Sequence, residues 1–377
     1  MATTENGREG SEESIGGFAT GAACRIDYTT PSRHVAEIEV GLDPEGVVVD
    51  TKRRRAYVAC SRSDCVTVVD LEALEAIGEV KTGEEPIDLV FDAATDRILT
   101  ADARSDQVTV IDAETLTVVT TVPVGTYPSG MTYDPDGRKL YVGNSFGSTM
   151  SVIDLDTLET LATVEAEPGA GAIGVDPSRN LGICVNFVAA SATLVDLDGF
   201  QPTGRLELDT GPCAIGLVPE RGEAFIVNSL ACTVSRLDLE TKQLVGEIPT
   251  GRAPVGLIVG PKHDRLYVAN RGAGTVSILG VADGTEWAQI PVGTGPGGVV
   301  VDPSDGRVLC ANAGSGTLTI AEDLLAGRPP SGPLSEEHPL VGRKLPGFSL
   351  PDLATGEART DADWAERKYI LNFFASW

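Results

Sequence analysis

The chain is short of positive charge. Against 55 acidic residues it sets 29 basic ones, only seven of them lysine, for a net charge of −26. Such a surface repels phosphate backbones and anionic headgroups, which argues against nucleic acid and acidic membranes as partners. Histidine is scarce as well. His34, His263 and His338 form no pair with metal-ligand spacing, so neither a zinc site nor a histidine-based triad is expected. No run of eighteen apolar residues exists, and none of the chain reads as a membrane span. The opening residues 1–17 are polar and acidic and lack the basic and apolar regions of a secretory leader, so a cytoplasmic location is expected. Seven cysteines, an odd number without any CxxC pair, fit free thiols in a reducing compartment better than a disulfide framework. No motif calls for a cofactor, and a monomer is expected.

Glycine (43) and proline (23) are plentiful, as suits many short strands joined by tight turns. The dominant signal is a repeat. Segments such as RAYVAC, KLYVGN, RLYVAN and RVLCAN recur, each followed by a turn and a second apolar run such as VTVVD or MSVID. The last residue of the first block falls at Cys60, Asp102, Asn144, Asn186, Asn228, Asn270 and Asn312, always 42 residues apart. The second block ends at Asp70, Asp112, Asp154, Asp196, Asp238, Gly280 and Glu322, with the same step. Seven copies of a unit containing only β-type segments predict an all-β, seven-bladed β-propeller of four-stranded blades.

The third copy shows the expected blade. Strand A covers residues 130–133, strand B 139–143, strand C 150–153 and strand D 159–165, with DPDG and DLDT supplying turn dihedrals. The last copy lacks a strand D of its own. Residues 34–41, HVAEIEVG, carry that pattern and are expected to complete the seventh blade, closing the ring without an exposed edge. The expected layout is an acidic tail at 1–32, the propeller at 33–323, a Pro/Gly/Ser-rich linker at 324–338 and a further segment at 339–377. On the YVAN, TVSIL and PVG elements the unit resembles the YVTN, or YncE-like, repeat family. That resemblance implies the propeller fold and does not by itself imply one activity. The WD40 signature is absent, since no Trp-Asp dipeptide occurs.

The candidate binding residues are Cys60, Asp102, Asn144, Asn186, Asn228, Asn270 and Asn312, a polar ring at one face. The plainer reading is that each amide caps its B–C turn; the functional reading is a rim that holds a ligand or a partner protein. Cys184 and Cys310 share one strand B position with Val58, Thr100, Val142, Ile226 and Val268 and read as core. Cys60 and Cys65 flank one turn, where either free thiols or a regulatory disulfide would fit. Two enzyme-like motifs read as decoys. GNSFG (143–147) matches GxSxG and GAGAIG (169–174) matches GxGxxG, but each lies between strands, whereas those motifs must open a helix. Asp50, Asp92, Asp134, Asp176 and Asp302 end strand A at matching positions. They read as turn caps, or, in a lactonase-like hydrolase, as holders of a divalent cation.

The final segment resembles the opening of thioredoxin-like proteins of the TlpA and peroxiredoxin group. The matching residues are Val341-Gly342, LPGFSL at 345–350 and the apolar run 369–375 leading into Ser376-Trp377. The resemblance implies an opening hairpin around the PxFxL segment, and a redox cysteine at a helix start just beyond Trp377. A thiolate there is stabilised by the helix N-terminus. The segment is therefore expected to be truncated and not catalytic as it stands. A recoded selenocysteine codon, a frameshift and a genuine end are the three readings of that position. For function, a binding and docking propeller fused to a thiol–disulfide oxidoreductase is expected. The alternatives are a pure interaction module and a lactonase-like hydrolase.

Overall fold

The computed structural model describes residues 32–325 and the short segments 349–351 and 358–360. Within 32–325 lie seven antiparallel four-stranded sheets, each a blade of a propeller. Six are consecutive in the chain. Blade 1, for example, orders Pro44–Asp50, Arg55–Cys60, Cys65–Asp70 and Glu75–Lys81 as strands A to D. Among these residues there is no α-helix, only four 3-10 turns of three residues each.

The seventh blade closes the ring as the sequence indicates. Its strands A to C are Pro296–Val301, Arg307–Asn312 and Thr317–Asp323, and its fourth is the N-terminal strand Ser32–Glu39. Ser32 pairs with Asp323 and Glu39 with Thr317, so nearly the whole of that strand is in register with strand C. The strand starts one residue earlier than the expected boundary at 33.

Burial follows the alternation of the strands. Strands B and C are buried almost throughout, and strands D are mostly exposed on the outer edge. The apolar core is therefore not one body but seven, each lying between two neighbouring blades. One cluster joins blades 2 and 3 through Leu99, Val110, Leu140 and Ile153. Another joins blades 7 and 1 through Leu309, Ile320, Val58 and Val69, sealing the ring where the chain ends meet.

Residues 349–351 and 358–360 form a separate antiparallel pair, with Leu350 opposite Arg359. The rest of the linker and of the expected thioredoxin-like segment lies outside the described residues, as does the acidic tail up to residue 31. No helix among the described residues is long and apolar enough to cross a membrane.

Candidate functional site

All seven strands A line the axis, and the upper half of the channel, where these strands begin, holds a cavity of about 530 Å³. Its wall is built in layers that the 42-residue step makes visible. The second layer contains Gly46, Asp88, Gly130, Ala172, Ala214, Gly256 and Gly298. Four are glycines whose absent Cβ would meet the neighbouring blade, Gly46 at Leu89 and Gly130, Gly256 and Gly298 at the carbonyls of Gly171, Gly297 and Glu45, two are alanines, and the seventh is a carboxylate. The next layer is apolar, with Val47, Met131, Ile173, Ile215, Leu257 and Val299.

Asp88 accepts hydrogen bonds from the amides of Leu89 (2.9 Å) and of Met131 in the next blade (2.8 Å). A carboxylate offers about four acceptor positions, and these bonds use two. No arginine or lysine pairs with it among the described residues. Burial raises its pKa to about 6, against the pull of the two amides. At the mouth, Glu45 is paired with Arg271 across the strand A of blade 7. Burial raises the Glu45 carboxyl, and the guanidinium counters only part of that.

The turns around the mouth divide into three sectors. Two residues past the end of strand B stand Arg62, Arg104, Phe146, Val188, Leu230, Gly272 and Gly314. In blades 1 and 2 the arginines pair with Asp43 (3.7 Å) and Glu85 (2.6 Å) on the preceding connector. In blades 3 to 5 the position is apolar. Phe146 stacks on Tyr127 at 4.2 Å between ring centroids, and Leu230 packs over Gly211. These three side chains remain 73%, 72% and 70% exposed, and Phe187 adds to the arc from the cavity wall. In blades 6 and 7 the position is glycine. An exposed apolar arc on three of the seven turns around a cavity mouth is a feature of binding surfaces rather than of inert ones.

The polar ring expected at this face lies beneath the mouth and not in it. Asn144 is the last residue of strand B rather than the first of the turn, because its partner Thr149 continues the ladder. Its Nδ2 donates to Thr149 Oγ1 and Ser151 Oγ, both at 3.0 Å. Asn186, Asn228, Asn270 and Asn312 repeat this latch with the hydroxyls five and seven residues on. Asp102 is held by Thr100 (2.8 Å), Thr109, Gln107 and the amide of Gly83 (3.1 Å). Burial nonetheless raises its carboxyl above the ordinary value. Cys60 takes the same place in blade 1. All seven are fully buried, and none lines the cavity. The latch thus joins strands B and C side chain to side chain, where the sequence suggested an amide bonding turn backbone.

The strand-end carboxylates occupy the opposite, lower end. Asp92 accepts from both terminal nitrogens of Arg138 (2.9 and 2.8 Å), Asp176 from Arg179 (2.7 Å), Asp50 from Arg53 (2.9 Å) and Asp302 from Arg54 (2.5 Å). Several also cap their turns, as Asp134 does for the Asp136 amide. None of the five borders the cavity, and no group of three acidic, histidine or cysteine residues clusters as a metal would require among the described residues. The two decoy motifs sit between strands: Ser145 donates to the carbonyl of Ala170 at 3.0 Å, and Gly169 has φ +86° in a strand connector.

Asp88 and the apolar arc escaped the sequence reading, though both break the repeat at one column. A table of the 42-residue steps shows a lone Asp among Gly and Ala, and a block of apolar residues confined to three blades.

No protein-family model and no curated protein matches the chain. Among solved structures it is similar to a chain of hydrazine synthase from Kuenenia stuttgartiensis. The TM-score is 0.68 at 18% identity, covering 81% of this chain and 98% of the other. At that identity the likeness concerns the fold.

Proposed function

We propose that the protein is a binding module that takes an ammonium group on an apolar stem into the axial cavity. The observation that carries this reading is Asp88, the single carboxylate in a ring with six small residues, with acceptor positions free and no cation beside it among the described residues. An entering ammonium would supply the missing charge in a site where low dielectric strengthens the pairing. The stem would lie on the arc of Phe146, Phe187, Val188 and Leu230. The ring of Cys60, Asp102, Asn144, Asn186, Asn228, Asn270 and Asn312 enters as the scaffold that holds the turns in place. The YVTN-type assignment belongs to the same reading and rests on the repeat.

Calorimetric titration with 4-phenylbutylamine tests it, with 4-phenylbutyrate as the control. The amine should bind saturably and the acid should not. Asp88→Asn should weaken the amine at least about tenfold, a difference of about 1.4 kcal/mol. Equal binding of amine and acid, or an unchanged affinity in Asp88→Asn, overturns the reading.

A second reading joins this module to a redoxin-type domain. It is supported by the LPGFSL segment and by the antiparallel pair Ser349–Pro351 with Ala358–Thr360, at the place of that family's opening hairpin. Sequencing the transcript beyond the Trp377 codon decides it. A frame continuing into a Cys or selenocysteine followed by x-x-Cys supports the fusion, and one that does not removes it.

A further inference from the structure

Six blades fasten the end of strand B to the start of strand C with an amide or carboxylate against hydroxyl or amide partners. Blade 1 instead places Cys60 directly opposite Cys65, with Thr67 as the second partner. Directly opposed residues of an antiparallel pair have Cα atoms about 4.5–5.5 Å apart, and a disulfide spans about 4.4–6.8 Å. The two thiols are unbonded here, have no solvent exposure and belong to the cluster that seals blades 7 and 1. Cys60 Sγ lies 3.4 Å from Thr67 Oγ1 and 3.5 Å from the Val58 carbonyl. The Gly41 amide, on the connector from the closing strand, donates to the same Thr67 hydroxyl at 3.2 Å.

We propose that Cys60 and Cys65 form a peroxide-oxidised dithiol site at the ring seam. The Cys60 thiolate attacks one oxygen of hydrogen peroxide, the O–O bond breaks, and the sulfur becomes a sulfenic acid as hydroxide leaves and takes up a proton. Cys65 sulfur then attacks the sulfenic sulfur, and its proton leaves with the displaced hydroxide as a second water. Two thiols and one peroxide give one disulfide and two waters, and an external dithiol, itself oxidised, restores the pair.

The assignment of roles follows from the surroundings. The facing Cys65 thiol and the Thr67 hydroxyl at 3.4 Å favour the Cys60 thiolate and, against burial, hold that thiol below the ordinary value. The same pairing, with burial, pushes Cys65 upward, so it stays protonated as the resolving partner. In a close-packed interior a bulky disulfide is shut out, which leaves an oxidant scarcely larger than water. Among the described residues no other two thiols face each other: Cys184 faces Thr193 and Cys310 faces Thr319, and burial alone pushes both to about 12.

The test treats the native full chain with stoichiometric hydrogen peroxide, then denatures, alkylates with iodoacetamide and maps the peptides by mass. Cys60 and Cys65 should leave the alkylatable pool first and together, their peptide lighter by two hydrogens and recovered by dithiothreitol. Cys65→Thr should stop at a Cys60 sulfenic acid captured by dimedone. Cys60→Asn with Cys65→Thr installs the latch of the other blades and should fold, bind 4-phenylbutylamine as before and show no mass loss. Both cysteines fully alkylated after peroxide, a sulfinic acid on wild-type Cys60, or a disulfide to any other cysteine overturns the proposal.

Discussion

The two ends of the propeller are built from different chemistry. At the lower end, every strand-A carboxylate named above except Asp134 is matched by an arginine, and several arginines reach from one blade to the next: Arg138 to Asp92, Arg54 to Asp302, and Arg265 to Asp323 at 2.6 Å. At the upper end the latches are amides and thiols, and although Glu45 and Glu85 are paired with arginines, Asp88 and Asp102 have no cation partner among the described residues. The lower end therefore spends its charge on holding the blades together. The upper end leaves charge uncompensated beside a cavity, which costs stability and leaves room for a ligand to supply the counterion.

The contrast breaks most sharply at Arg265. It is buried against Asp323 and lies 4.8 Å over the Trp287 ring. Arg265→Ala strands a buried carboxylate and should cost about 3–5 kcal/mol, read from the urea midpoint. Asn144→Ala at the upper end removes two neutral hydrogen bonds and should cost about 2 kcal/mol. If the two losses are equal or reversed, the ends do not differ as described.

The pH dependence sharpens the comparison, because the two ends carry opposite signs. Burial alone would raise Asp92, Asp176 and Asp302, but Arg138, Ser178 and Ser304 with their neighbouring donors hold each below the ordinary value. Their stabilisation is complete above the unfolded value and is lost as pH falls through the folded one. Asp88 is raised to about 6, so its contribution is complete below the unfolded value and is lost as pH rises through 6. Melting temperatures from pH 7 to 5 should favour the wild type over Asp88→Asn progressively on acidification. The deficit of Arg54→Ala should instead shrink as pH falls through the low folded value of Asp302. The smallest effect on stability is expected for Gly171→Leu. A Cβ there meets nothing nearer than Ser129 Oγ at 3.4 Å, so the change should stay within about 1 kcal/mol. The leucine fills the cavity, and amine binding should disappear while the melting temperature barely moves.

Much of the fold was legible because repetition turns weak local signals into one strong one. Any single RLYVAN could be a strand of many proteins, but seven at one spacing specify blades, and the missing last strand points to residues 34–41. The latch was half legible. Asn144 and its equivalents stood out, but their partners Thr149 and Ser151 did not, because a hydroxyl alternating with apolar residues reads as ordinary strand. Averaging over repeats also hid the site. Asp88 is one of 55 acidic residues and matters only through the Gly and Ala that replace it elsewhere. The arc at Phe146, Val188 and Leu230 is invisible within one blade, since its meaning comes from three blades standing side by side.

The closing strand has a mechanical consequence. Its first residue, Ser32, faces Asp323, the last residue of its partner, so the two chain tails depart from the same end of one ladder. Tension applied through those tails loads the ladder rung by rung, as a zipper is loaded, and never all rungs in shear. The strand that completes the wheel is thus also the one a pull would peel first, with the other six sheets still intact.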